Sequence, residues 1–157
     1  MKLTIIGFWG GYPAPGGATS AYMLEKDDFT LLIDAGSGSL SKLQNKKHVM
    51  DLDAVILSHY HNDHVADIGV LQYAWLVQSY IHENNDILPI YGHTEDQNGF
   101  KLLTHKKTEG IAYDPDATLE VGPFAITFLK TSHPVPCYGM RITDGETTIV
   151  YTADTAF

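Results

Sequence analysis

The chain alternates short apolar runs with turn-forming clusters, and one long stretch carries helical spacing. Residues 3–8 form a strand-length run that ends in the Gly/Pro-rich loop 10–17. Residues 20–25 and 29–33 read as two strands paired across Lys26-Asp27-Asp28. Gly36-Ser37-Gly38-Ser39 then opens a short helix over about 40–47, with Ser37 or Ser39 as N-cap. Residues 54–57 are continuously apolar, the pattern of a buried strand. From His64 the spacing predicts a helix to about residue 83. Its buried stripe runs through Val70, Ala74, Val77 and Ile81, widened by Leu71 and Trp75. Residues 87–91 are another short strand, and Thr94 with Gln97 predicts a helix over 94–103. No period dominates 106–116. The last third reads as a β-meander: 118–121, 124–131, then 140–143 turning through the two-residue signal Asp144-Gly145 into 146–152.

Composition narrows the reading. At 157 residues one domain is expected, and the 44% hydrophobic content lies above what disorder shows. The formal charge of −9 argues against a nucleic-acid binder, which carries a basic field. The small clusters Lys42/Lys46/Lys47 and Lys101/Lys106/Lys107 read as solvated helix surface. The single cysteine, Cys137, excludes an internal disulfide framework and fits a reducing compartment. The apolar run at the N-terminus is too short for a signal peptide or a membrane span, so a cytoplasmic location is expected.

The chemistry concentrates in Ser58-His59-Tyr60-His61-Asn62-Asp63-His64, which puts three imidazoles and a carboxylate into the six residues from His59. Zn²⁺, Mn²⁺ and Fe²⁺ accept these donors, and one ion cannot easily take all four from so short a segment. The segment therefore reads as half of a dinuclear site. Other strands also end in candidate ligands: 124–131 runs to His133, 148–151 to Asp154 and 31–33 to Asp34. Sites in α/β sheets form beyond the carboxyl ends of strands, so these residues are expected to converge. His48, His82, His93 and His105 lack ligand spacing and read as surface or core residues. The 10–17 loop lacks the Gly-Lys-Ser/Thr ending of a P-loop and reads as a backbone turn near the site. Cys137 reads as a packed thiol.

These residues resemble a known family. His59-Tyr60-His61-Asn62-Asp63-His64 is similar to the HxHxDH signature of the metallo-β-lactamase superfamily, and Asp34-Ala35-Gly36 to its upstream Asp-x-Gly motif. Within it, the segment from Thr131 to Ile142 and Val150-Tyr151-Thr152-Ala153-Asp154-Thr155 resemble the ribonuclease Z-like branch. The resemblance implies an α/β (α+β) fold, the αββα sandwich of that superfamily. This chain would supply its N-terminal part, a mixed sheet with flanking helices. The domain expected is a single one over 1–157 that lacks its C-terminal portion. His59, His61 and His133 would hold one metal, Asp63 and His64 a second, and Asp154 would bridge them. Asp34 would orient the histidine cluster from behind. Two divalent ions are implied, zinc first, with manganese or iron suited to the same donors.

Two departures from the family shape the expected function. The chain ends before the downstream histidine that completes the second site, so a fragment or a weak second site is expected. Only a hairpin joins His133 to Asp154, where transfer-RNA-processing members carry a long arm. The expected activity is a metal-dependent phosphodiesterase in which Asp63 takes part in catalysis, using water activated between the ions. The substrate would be a small cyclic or nucleotide-type phosphodiester rather than transfer RNA, with no membrane partner and a homodimer among the implied assemblies. The alternatives are a lactone, thioester or β-lactam hydrolase on the same scaffold, or a catalytically incomplete metal-binding fragment.

Overall fold

The computed structural model describes residues 1–156. The first sheet has six strands in the order β1-β2-β3-β4-β5-β6: β1 (Lys2–Gly7), β2 (Ala21–Lys26), β3 (Phe29–Ile33), β4 (Ala54–Ile56), β5 (Leu88–Gly92) and β6 (Thr108–Ala112). β1–β2 and β2–β3 are antiparallel, and β3–β4, β4–β5 and β5–β6 are parallel. The second sheet is antiparallel, in the order β10-β9-β8-β7, built from β7 (Leu119–Val121), β8 (Phe124–Lys130), β9 (Tyr138–Thr143) and β10 (Thr148–Tyr151). The helices are α1 (Ser39–Leu43), α2 (Asn62–Val65), α3 (Ile68–Ile81) and α4 (Gln97–Lys101), with a 3₁₀ turn at Val49–Asp51.

Side chains alternate across a strand, so the first sheet divides the core in two. Met23, Leu32, Val55 and Ile90 face the helices, where they join Leu71 and Trp75. Leu24, Leu31, Ile33 and Ile56 face the second sheet, where they join Phe124, Ile126, Met140 and Ile142. β4 is covered on both faces, which explains its unbroken apolar run. No helix among the described residues is long and apolar enough to cross a membrane.

The expected stripe of the long helix is displaced. Ile68, Leu71, Gln72, Trp75, Leu76 and Ser79 are buried, whereas Val70, Val77 and Ile81 are 56%, 38% and 64% exposed. This helix is apolar on two sides, so spacing alone defines two faces. Gln72 disguised the true one: its Nε2 donates to the carbonyls of Leu102 and Leu103 and to Thr108 Oγ1, at 2.8, 3.0 and 3.1 Å. Nor is the helix continuous from His64. Asp67 breaks it, because its N–H donates to the Ala35 carbonyl at 3.0 Å and its carboxylate accepts from Leu40 N–H at 2.9 Å.

That last bond also displaces the expected cap of α1. Neither Ser37 nor Ser39 caps it; the N-cap residue is Gly38, with φ 78°, and the helix stops at Leu43. In α4 the cap is Asp96, whose Oδ1 accepts from Asn98 and Gly99 N–H, and Thr94 lies outside. The undecided 106–116 stretch holds β6, a half-exposed edge strand that contains a glycine. The last hairpin is longer than two residues: Thr143 pairs with Thr148, and Asp144 Oδ1 accepts from Glu146 and Thr147 N–H across the turn.

Candidate metal centre

The histidine cluster follows β4 at the carboxyl end of the parallel strands. Its backbone is extended up to His61, at φ −66° and ψ 147°, and then makes the single turn of α2. This change of period splits the cluster between two groups of ligand atoms. One comprises His59, His61, His133 and Asp154; the other comprises Asp63, His64 and Asp154. Gly36 lets α2 come this close. A Cβ there would lie 2.0 Å from the Asp63 carbonyl oxygen and 2.1 Å from Thr19 Oγ1. The neighbouring Ala35 N–H donates to the His64 carbonyl at 2.7 Å.

His133 and Asp154 arrive from loops of the second sheet, after β8 and β10. The two loops are tied together: Thr131 Oγ1 donates to the Asp154 carbonyl at 2.6 Å, and Ala156 N–H to the Ser132 carbonyl at 2.8 Å. Asp154 thereby reaches both groups. Its Oδ1 lies 3.3 Å from His64 Nε2, and its Oδ2 lies 4.0 Å from His59 Nε2 and 3.9 Å from His133 Nε2. His61 Nδ1 and His133 Nε2 are 3.0 Å apart.

The donors fit a divalent metal. Two nitrogens bound to one tetrahedral zinc lie about 3.3 Å apart, close to the 3.0 Å between His61 Nδ1 and His133 Nε2. His59 Nε2 is buried with no hydrogen-bond partner, an arrangement costly for a polar atom that lacks a ligand.

Charge differs sharply across the cluster. Burial, helped by the neighbouring His64, lowers the His59 pKa to about 4, which favours the neutral ring that metals bind. Burial also opposes charge on His64, but the hydrogen bond and charge of Asp34, with Asp154 and Asp63, win and raise its pKa. For Asp63, burial favours the acid, yet the N–H of Gly11 and the charge of His64 hold its pKa down. That N–H reaches Asp63 Oδ2 at 2.7 Å, so the 10–17 loop does clasp the site.

Asp34 stands behind the cluster, fully buried and at a positive φ of 56°. Its Oδ2 accepts from His64 Nδ1 at 2.7 Å. Cys137 is buried in the packing, 3.5 Å from His59 Nδ1, and burial raises its pKa. Of the histidines set aside, His93 is buried among Tyr60, Tyr113 and Tyr138, and His48 and His82 stack edge-on to each other. Two contributors escaped the sequence reading, Ser58 and Tyr151. Adjacency to His59 was the one available signal for Ser58; for Tyr151 there was none beyond its place three residues before Asp154. A cavity of about 310 Å³ opens beside His64 and Asp154, lined also by Trp9, Tyr22 and Tyr151.

Two stacked sheets, helices on the first, and a histidine–aspartate cluster where loops of both sheets meet define the metallo-β-lactamase class of domain. The sequence model of the metallo-beta-lactamase superfamily matches residues 14–157, and the chain belongs to that superfamily. It is 56% identical over 158 residues to the probable metallo-hydrolase YhfI of Bacillus subtilis, a match covering 100% of this chain and 65% of YhfI. The crystal structure of Bacillus subtilis YhfI aligns with a TM-score of 0.95, covering 97% of this chain and 62% of that one. Ribonuclease Z of Thermoplasma acidophilum is 27% identical over 158 residues, covering 93% of this chain and 49% of the enzyme. The chain thus spans between about half and two thirds of the length of these relatives.

Proposed function

We propose that the protein is a metal-dependent hydrolase that cleaves small phosphodiesters. The observation that carries this is Asp154, shared by two groups whose ligand atoms each lie within 4.8 Å of one another. Divalent ions in two such neighbouring sites supply an activated water and neutralise charge on phosphoryl oxygens. His59, His61, His133 and Asp154 would hold one ion, and Asp63, His64 and Asp154 the other. Zinc suits the histidine-rich group, and manganese and iron accept the same donors. Asp63, fixed by the Gly11 N–H, is the residue assigned to orient the attacking water.

A small substrate is favoured over transfer RNA by the net charge of −9 and by the short hairpin of β9 and β10 between His133 and Asp154. The lone cysteine supports a cytoplasmic setting. For a homodimer, the supporting surface is the exposed apolar side of α3, through Val70, Tyr73, Val77, Tyr80 and Ile81.

The test is hydrolysis of bis(p-nitrophenyl) phosphate by the zinc- or manganese-loaded protein. Asp63→Ala is expected to slow it by about 10²-fold or more. Equal rates in the two proteins would overturn the reading. Faster turnover of a lactone or a β-lactam would move it to carbonyl chemistry.

A further inference from the structure

The hydrogens around Asp34 can be assigned one by one. Its carboxylate accepts from Ser58 N–H at 2.8 Å, from Ser58 Oγ at 2.8 Å, from His64 Nδ1 at 2.7 Å and from Tyr151 OH at 2.7 Å. An ionised carboxylate can only accept, so each partner brings a proton. The one hydroxyl proton of Ser58 is then committed to Asp34. Its oxygen is left to accept from His59 Nδ1, 3.0 Å away. The phenol proton of Tyr151 is likewise committed, and Ser20 Oγ, 3.0 Å away, donates to the phenol oxygen.

Both imidazoles are thereby fixed with hydrogen on Nδ1. With the ring neutral, each presents a bare Nε2 to its ligand group. His59 Nε2 has no protein partner, and His64 Nε2 faces Asp154 at 3.3 Å and Asp63 at 3.8 Å. Metal-binding histidines ordinarily donate their other N–H to a carboxylate or carbonyl, which sets tautomer and ring orientation. Here His64 does so directly, and His59 does so at one remove through a hydroxyl.

We propose that Ser58 and Tyr151 are positioning residues through which one carboxylate, Asp34, sets the tautomer of a histidine in each ligand group and so couples the two groups. Ser58 carries the influence of Asp34 to His59 in the first group. Tyr151 braces Asp34 from β10, the strand that leads to Asp154, and so locks the second sheet to the first at the site. Cys137 Sγ, 3.5 Å from His59 Nδ1, is a poor substitute for the Ser58 oxygen. The inference rests on the metal-site part of the functional reading but not on the phosphodiester part.

The experiment uses the protein labelled with ¹⁵N-histidine. Long-range proton–nitrogen correlation in the metal-free protein at alkaline pH reads each tautomer, and zinc titration against a chelator reads each affinity. The expected result is Nδ1–H at both His59 and His64. Ser58→Ala should release the His59 tautomer and weaken the first zinc about 10–100-fold, and Ser58→Thr, which keeps the hydroxyl, should restore it. Tyr151→Phe removes one oxygen and should weaken the second zinc more than the first. It keeps the test decisive if Ser58→Ala fails to fold. Nε2–H at either ring of the wild type, or wild-type tautomers and zinc affinities in both Ser58→Ala and Tyr151→Phe, would overturn the proposal. Absence of phosphodiester hydrolysis by the zinc-loaded protein would sink the functional reading and leave these readouts intact.

Discussion

The candidate centre has an inner half and a rim, and they are built differently. Asp34, Ser58 and His59 are 0% exposed and His64 is 2% exposed, and hydrogen bonds fix each of them. On the rim, the Asp154 side chain is 40% exposed, and His61 and His133 lean on each other at 3.0 Å. The inner half grows from the first sheet, close to its buried strands. The rim joins His61, from the segment after β4, to His133 and Asp154 from loops of the second sheet. The contrast teaches that hydrogen bonds from the first sheet hold His59 and His64 in place, while anchoring of the second sheet's loops brings His133 and Asp154 up to them.

The largest expected effect tests the rim. Asp154→Ala removes the one carboxylate common to both groups. Aryl phosphodiester hydrolysis should fall by at least about 10²-fold, roughly 2.7 kcal/mol of transition-state stabilisation. The metal-free fold should hold within about 0.5 kcal/mol by urea denaturation, since the side chain is half in solvent. A large loss of fold stability would erase the distinction between rim and inner half.

Asp34→Asn tests the inner half. Asparagine tolerates the positive φ, so backbone strain is not introduced. It does replace an acceptor-only group by one that points hydrogens at other donors. We expect zinc affinity to fall about 10–100-fold and metal-free stability to fall by about 1–3 kcal/mol. Unchanged urea stability would mean that the inner half is not held by this carboxylate.

Much of this arrangement was legible in the sequence because ligand chemistry leaves a dense local signal. The run from His59 to His64 announced itself, and Asp34, His133 and Asp154 each stood at a strand end. Strand β4 was readable from its apolar run, as expected when both faces are covered. What stayed hidden depends on partners distant in sequence. The α3 face was misread because Gln72 looks polar until its three acceptors are seen. The cap of α1 was misread because Asp67, far along the chain, supplies the acceptor that Ser37 and Ser39 do not. Tyr151 was unreadable for the same reason: its hydroxyl acts on Asp34, 117 positions away.

A smaller effect sharpens the junction between the halves. Gly36→Ala puts a methyl group 2.0 Å from the Asp63 carbonyl oxygen, so α2 must shift. Overpacking of this kind costs about 1–3 kcal/mol, and the shift should weaken the Asp63/His64 zinc site more than the other. Thermal melting and zinc titration check both. A variant that melts like the wild type would show that α2 has more freedom than its contacts with Ala35 and Gly36 imply.

The smallest effect concerns charge within the inner half. In the metal-free protein His59 has its pKa lowered from 6.5 to about 4. As pH falls through that window, the unfolded chain binds a proton that the folded chain refuses, so stability falls. His64 works the other way. Its pKa is raised, so its contribution is fully present below 6.5 and is lost as pH rises through the raised value. Below 6.5, therefore, His59 sets the slope of the two. Between pH 6.5 and 5.5 the loss should be about 1 kcal/mol at most, read as a falling urea midpoint. His59→Gln removes the titrating group and should flatten that limb. An acid limb unchanged in the variant would place the titration elsewhere and remove the electrostatic contrast between two rings that stand 4.2 Å apart.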